Sequence, residues 1–268
     1  MADISTLQIS STFPCLVIYL LDQSGSMQEH FGSSGTKAKK LADSVNEIVF
    51  ETGLKCYGSN GELKNRFELS VVGYGGASDT VEPAWEGNLR DHWVVSIGDV
   101  FPNAVGEEDG IPIWIRPKAG ADTPMTRAFE NAYRIAEAWI NWGNHRDCHP
   151  PIVINISDGE ATDSGINDQK LKQAVNNLKS LSTNYGGVNI FNIHISSQSG
   201  DSILFPSQLN TPNKQANLLF DLSTQLNDHM VALANNMGYN VSYGAKGYVF
   251  NGSAKNLMDF LNIGSNPL

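Results

Sequence analysis

The stretch Cys15-Leu16-Val17-Ile18-Tyr19-Leu20-Leu21-Asp22-Gln23-Ser24-Gly25-Ser26 decides how the chain is read. Its first seven residues carry no charge and have the composition of a strand buried on both faces. One acid and two hydroxyls follow immediately. In open α/β sheets, ligands bind beyond the carboxyl ends of the strands. Hard oxygens gathered at such an end suit a small hard cation such as Mg²⁺.

Similar strands recur along the chain. Residues 66–74 alternate around Phe67, Leu69 and Val71, 152–156 and 188–195 are almost unbroken apolar runs, and 247–250 makes a final strand. Between them lie helical stripes. Residues 37–52 place Leu41, Val45, Ile48 and Val49 on one face, with Gly53 as the expected stop. After Thr123, Pro124 fits the first helical position, followed by Met125, Phe129, Ala132, Ala136 and Trp139. Residues 168–181 carry Leu171, Val175, Leu178 and Leu181. Residues 214–237 read as one or two helices. Ser253 reads as the cap of a last helix with Leu257, Phe260 and Leu261. The short piece 80–85, interrupted by Pro83, suits a sheet edge. The alternation implies an α/β fold with a mainly parallel central sheet and helices on both faces. A single domain over residues 1–268 is expected, with a long loop-rich insertion around 87–117. There Glu107-Glu108-Asp109 reads as exposed loop.

Composition narrows the function. The 268 residues are 41% hydrophobic and 17% charged, which is globular. A net charge of −10 argues against nucleic acid, because no basic stripe is present to neutralise phosphates. The densest basic stretch, residues 37–40, reads as a solvated helix face. Cys15, Cys56 and Cys148 form neither an even framework nor a CxxC pair, as expected of free thiols in a reducing compartment. No secretory signal opens the sequence and no apolar run is long enough to span a bilayer. A cytoplasmic protein with no membrane partner is expected.

Two further segments end at the same predicted sheet edge. Residues 152–157 deliver Asp158, and Gly120-Ala121-Asp122-Thr123-Pro124 places Thr123 at a helix mouth. Asp22, Ser24, Ser26, Thr123 and Asp158 would then converge, and with water they would make an all-oxygen octahedral site. Singly, each has an ordinary reading as a turn former or helix cap. Together, in this order and on these elements, they favour a metal. His145, Cys148 and His149 lie close in sequence, but a zinc site needs about four ligands, and a surface turn is the reading preferred. Trp139 and Trp142 read as core or half-buried packing.

These residues carry a resemblance to von Willebrand factor type A (vWA) domains with a metal-ion-dependent adhesion site. That family's motif is Asp-x-Ser-x-Ser, then a distant Thr and an Asp, and it matches Asp22, Ser24, Ser26, Thr123 and Asp158. The flanking residues Met27 and Glu160 fit as well. The resemblance implies a Rossmann-like fold with one short antiparallel edge strand. It also implies a bound Mg²⁺, with Mn²⁺ and Ca²⁺ as alternatives, that accepts an Asp or Glu side chain from a partner protein. Met27, Gly75, Gly76, Asp122 and Glu160 are candidates for the rim facing that partner. Asp122 departs from the small residues usual before the Thr, and it reads as a helix cap or as extra negative charge at the rim.

More narrowly, the chain is similar to stand-alone intracellular vWA proteins of bacteria, including those associated with tellurium resistance. Those tend to be encoded beside a PP2C-type phosphatase and a Ser/Thr kinase, so a signalling or stress-response system is the implied setting. The alternatives are a hydrolase or phosphotransferase, a metal-independent scaffold and a AAA-ATPase adaptor. Against a phosphotransferase, Ser24 stands where a haloacid-dehalogenase-type site wants a second acid. Against a serine hydrolase, Gly-x-Ser-x-Gly is absent. A non-enzymatic binding module is the preferred expectation.

Overall fold

A computed structural model describes residues 7–31, 35–195, 202–251, 256, 259, 262 and 263. In chain order the elements begin with β1 (Cys15–Asp22), α1 (Lys37–Lys55) and β2 (Phe67–Tyr74). Short strands β3 (Val81–Pro83) and β4 (Val95–Ser96), the single turn α2 (Ile97–Val100) and a hairpin of β5 (Gly106–Glu108) and β6 (Ile111–Ile113) follow. Next come α3 (Met125–Ile140), β7 (Ile152–Ser157), α4 (Gln169–Ser180) and a small hairpin of β8 (Ser182–Thr183) and β9 (Gly186–Gly187). The remainder is β10 (Asn189–His194), β11 (Ile203–Leu204), α5 (Lys214–Leu222), α6 (Asp228–Asn236) and β12 (Tyr248–Phe250). Ser253, Leu257, Phe260 and Leu261, on which a last helix is expected, lie outside the described residues.

β1 is buried along its whole length, and its side chains divide between two cores. Val17, Tyr19 and Leu21 join α1, α6 and Trp114 on one face. Leu16, Ile18 and Leu20 join α3, α4 and α5 on the other. The two-residue period of a strand sends neighbours to opposite layers, so a central strand covered on both sides must be apolar throughout. The main sheet runs β11-β12-β10-β7-β1-β2-β3, with β4 also pairing β2. The five strands β12, β10, β7, β1 and β2 are parallel. The edge strand expected over 80–85 is β3, antiparallel to β2; β4 extends that margin, and β11 closes the opposite one. This is a Rossmann-like α/β arrangement.

The connections explain where a ligand would sit. β1 leads into α1 on one face, while its parallel neighbour β7 leads into α4 on the other. Their loops part in opposite directions and leave a crevice at the carboxyl edge between them, a topological switch point. Asp22 ends β1, and Asp158 follows β7.

Several local expectations change. Gly53 lies inside α1 and does not stop it. A Cβ at that position would stand 1.9 Å from Cε2 of Phe101, so a glycine is required by the ring packed against the helix. The insertion near 87–117 is ordered around β4, α2 and the β5–β6 hairpin. The hairpin turns at Asp109 (φ 52°) and Gly110 (φ 81°), two successive positive φ values as in a tight type I′ turn. It is tied to α1 by Asn46, whose Oδ1 accepts from the backbone N–H groups of Trp114 and Ile115. Lys39 pairs with Glu108 on the same side.

The run at 37–40 is not uniformly solvated: Lys37 is 3% exposed. Trp139 is buried as expected, but Trp142 is 74% exposed. His145, Cys148 and His149 are buried and do not form a surface turn. The His145 ring stacks on Trp139, with Nδ1 2.9 Å from that residue's carbonyl oxygen. His149 Nδ1 is 2.8 Å from the carbonyl oxygen of Pro150. Among the described residues, no group of three or more His, Cys, Asp or Glu is placed to hold a metal. The three cysteines are free and buried, and no described helix is long and apolar enough to cross a membrane.

Candidate metal centre

Asp22 is fully buried at the end of β1. Its two carboxylate oxygens have separate donors. The Ser24 backbone N–H donates to Oδ1 at 2.9 Å, and the Ser157 hydroxyl donates to Oδ2 at 2.7 Å. The second bond follows from register, because Leu21 pairs with Ile156 and so Asp22 lies beside Ser157. Burial, and then the charge of Asp158, push the Asp22 carboxyl up to about 6 despite those bonds. The carboxylate therefore sits where its charge is poorly compensated.

Three loops are laced together above it by backbone hydrogen bonds. Gln23 N–H donates to Tyr74 O (2.8 Å), Gly120 N–H to Gln23 O (2.7 Å), Gly25 N–H to Ala121 O (3.0 Å) and Ala121 N–H to Gly75 O (3.0 Å). The loop after β7 joins them: Thr162 N–H donates to Thr123 O at 3.0 Å, and Thr123 N–H to the Thr162 hydroxyl at 3.1 Å. The result is a cavity of about 430 Å³ whose walls include Ser24, Ser26, Thr123 and Asp158. Ser24 and Ser26 hydroxyls lie 3.1 Å apart. At about 30 Å³ per water, this volume holds an ion with its waters and an incoming side chain. Four of the five expected ligands line it, and Asp22 lies buried next to Ser24.

The rim expected from sequence divides. Asp122 and Glu160 are exposed and Gly76 is half-buried. Met27 is fully buried, so it faces the core and cannot face a partner. Gly75 is also buried, with φ of 85°, and a Cβ there would stand 2.0 Å from the Asp122 carbonyl oxygen. Its place is structural, letting β2 approach the loop that carries Thr123. Asp122 does not cap the helix as one reading had it. Asp163 does so from across the site, its carboxylate accepting from the N–H groups of Thr126 (2.9 Å) and Arg127 (3.0 Å). An Asp163→Ala protein is expected to lose about 1 kcal/mol of stability, the usual worth of an N-cap, as measured by urea denaturation.

Among the cavity residues not singled out by the sequence are His194 and Lys37. His194 Nε2–H donates to the Asp158 carbonyl oxygen at 2.9 Å, which leaves Nδ1 to accept from the Tyr248 hydroxyl at 3.3 Å. Burial lowers its pKa, so the ring is neutral. Lys37, the first residue of α1, places Nζ 3.1 Å from Asp158 Oδ2 and 2.8 Å from Glu29 Oε2. Burial works against its charge, but Glu29 and Asp158 outweigh burial and raise its pKa.

The donor chemistry fits a hard divalent cation: neutral hydroxyls and two acids, one of which, Asp22, is visibly short of positive charge. Ser24, Ser26 and Thr123, with Asp22 and Asp158, are the residues that would hold it.

No family model matches the sequence, and no curated protein matches it. Among solved structures, the chain is similar to the manganese-loaded TRAP protein of Plasmodium vivax. Identity there is 10% and the TM-score 0.48, over 96% of this chain and 75% of that one. It is also similar to the minor pilin PilB of Streptococcus sanguinis, at 10% identity and a TM-score of 0.47, covering 96% and 61%. An aerotolerance-related membrane protein of Bacteroides fragilis matches at 13% identity and a TM-score of 0.35, covering 67% of each chain. At these identities and scores, function does not carry over.

Proposed function

We propose that the chain is a divalent-cation-dependent protein-interaction module of the vWA type, in which a bound Mg²⁺ captures an Asp or Glu side chain of a partner. The observation that carries this reading is the single cavity that gathers Ser24, Ser26, Thr123 and Asp158 from three loops beside the buried Asp22. When bound, the cation supplies a Lewis-acidic position open to a partner's carboxylate. The protein's part is to hold the hydroxyls rigidly, through the backbone bonds between loops, and to present Asp122 and Glu160 at the rim. Neutral Ser and Thr oxygens leave more of the cation's charge for the partner than an all-carboxylate shell would.

A binding role is favoured over catalysis by the state of His194. Both its ring nitrogens are engaged, with the Asp158 carbonyl and the Tyr248 hydroxyl, and neither is directed at a serine. The resemblance supports a cytoplasmic setting linked to a Ser/Thr kinase or PP2C-type phosphatase. Mn²⁺ or Ca²⁺ would use the same oxygens. One observation favours a metal-independent scaffold: the Lys37 ammonium already pairs with Asp158.

Isothermal titration with MgCl₂ decides between them. The unaltered chain is expected to bind, and Ser24→Ala to lose most of that binding. Equal affinity in the two proteins would falsify the site. Partner capture from host lysate should likewise be released by EDTA.

A further inference from the structure

We propose that the Lys37 ammonium is a built-in counter-ion for Asp158 that competes with the divalent cation, so that loading the site requires this side chain to withdraw towards Glu29. The inference rests on the metal reading above and concerns what limits it.

Lys37 is in an unfavourable place for a lysine. It opens a 19-residue helix, the end at which the helix dipole repels a cation. Its side chain is 4% exposed, so the ammonium has given up most of its water. Two acids compensate, and they differ. The Asp158 side chain is 10% exposed and lines the cavity, whereas the Glu29 side chain is 56% exposed. The amine bridges the interior and the surface, with its inner partner a candidate metal ligand.

Lys37 itself lines the cavity that contains Ser24, Ser26 and Thr123. A dication bound there would meet a unit positive charge a few ångströms away. At an effective dielectric near 20, such a repulsion is worth more than a factor of ten in binding. The same amine also occupies an oxygen of Asp158 that the metal or its water would use. Moving Nζ outward relieves both conflicts, because Glu29 lies within 2.8 Å and towards solvent. The consequence is a site of modest affinity in which Asp158, unlike Asp22, keeps a counter-ion when no metal is bound. An anchor role alone, pinning the start of α1 to the end of β7, uses the same contacts but predicts no gain when the charge is removed.

The test is calorimetric titration of MnCl₂ into the unaltered chain and into Lys37→Met, which keeps the apolar stem and removes the charge. Competition predicts at least about tenfold tighter binding by Lys37→Met. Binding by Lys37→Met alone supports the proposal equally. If the unaltered chain binds and Lys37→Met binds equally or more weakly, competition is overturned and the metal site stands. If neither binds, both are overturned. A second measurement needs no variant: reductive methylation of Lys37, followed by mass spectrometry, should be severalfold faster with MnCl₂ than with EDTA. An unchanged or slower rate overturns the withdrawal.

Discussion

In EDTA at pH 7, an Asp22→Asn protein will be more stable to urea than the unaltered chain, by about 3 kcal/mol. The expectation comes from the position of the carboxyl at the end of β1, where burial and the charge of Asp158 raise its pKa from 3.8 to about 6. Because the folded value lies above the unfolded one, the protonated acid is the form the fold prefers. The associated stability is fully present below about pH 3.8 and is lost as pH rises through about 6. Each tenfold change in proton affinity is worth about 1.4 kcal/mol, which sets the size of the loss at neutral pH. Asparagine keeps the geometry: its Oδ1 accepts from Ser24 N–H as the acid does, and its amide donates to the Ser157 oxygen.

Magnesium should invert the ranking. A dication bound beside Asp22 stabilises the ionised carboxylate that the empty site disfavours, so the unaltered chain will gain stability as MgCl₂ is added. Asp22→Asn will not. A chain that is already as stable in EDTA as its asparagine variant would mean that Asp22 is compensated by something other than a metal. The pair of measurements thus reads a functional cost out of stability: the acid that would hold the cation weakens the fold in its absence.

How far the sequence discloses this can be seen residue by residue. β1 was legible because a strand buried on both faces must be a continuous apolar run, and Asp22, Ser24 and Ser26 stand out at its end for the same reason. Thr123 and Asp158 were legible as polar residues at the edge where parallel strands point. Lys37 was not, since nothing within residues 37–40 distinguishes it from its neighbours. Only the direction in which α1 leaves β1 brings its amine over the end of β7. Asp163 was hidden because it caps a helix 37 positions earlier in the chain. Asn155 and Asn192, buried in β7 and β10, join Tyr74 and Ser223 in a hydrogen-bonded row that an apolar pattern does not reveal. Met27 and Gly75 looked like rim residues by adjacency, but adjacency does not fix which way a side chain faces. Asp109-Gly110 carried a hairpin signal of its own, which the surrounding acidic loop composition obscured.

A second titration runs against the first. His149 is 1% exposed, and burial lowers its pKa from 6.5 to about 4. For this group the folded value is depressed, so its stability is present above about pH 6.5 and is lost as pH falls through about 4. The full loss is about 3 kcal/mol by the same conversion, and His194, also lowered by burial, adds in the same direction. Between pH 4 and 6.5 the two effects oppose: acidification relieves Asp22 while it strains His149. In EDTA the unaltered chain should therefore lose less stability on acidification across that window than Asp22→Asn does. Asp22→Asn, which removes one side of the balance, should lose stability steadily on acidification. His149→Asn retains a donor for the Pro150 carbonyl and cannot be protonated. It should instead gain stability as pH falls, whatever constant penalty its smaller volume imposes. Urea midpoints at half-unit steps of pH would show the two slopes with opposite sign. Parallel slopes in the two variants would mean that neither buried group titrates as its surroundings dictate.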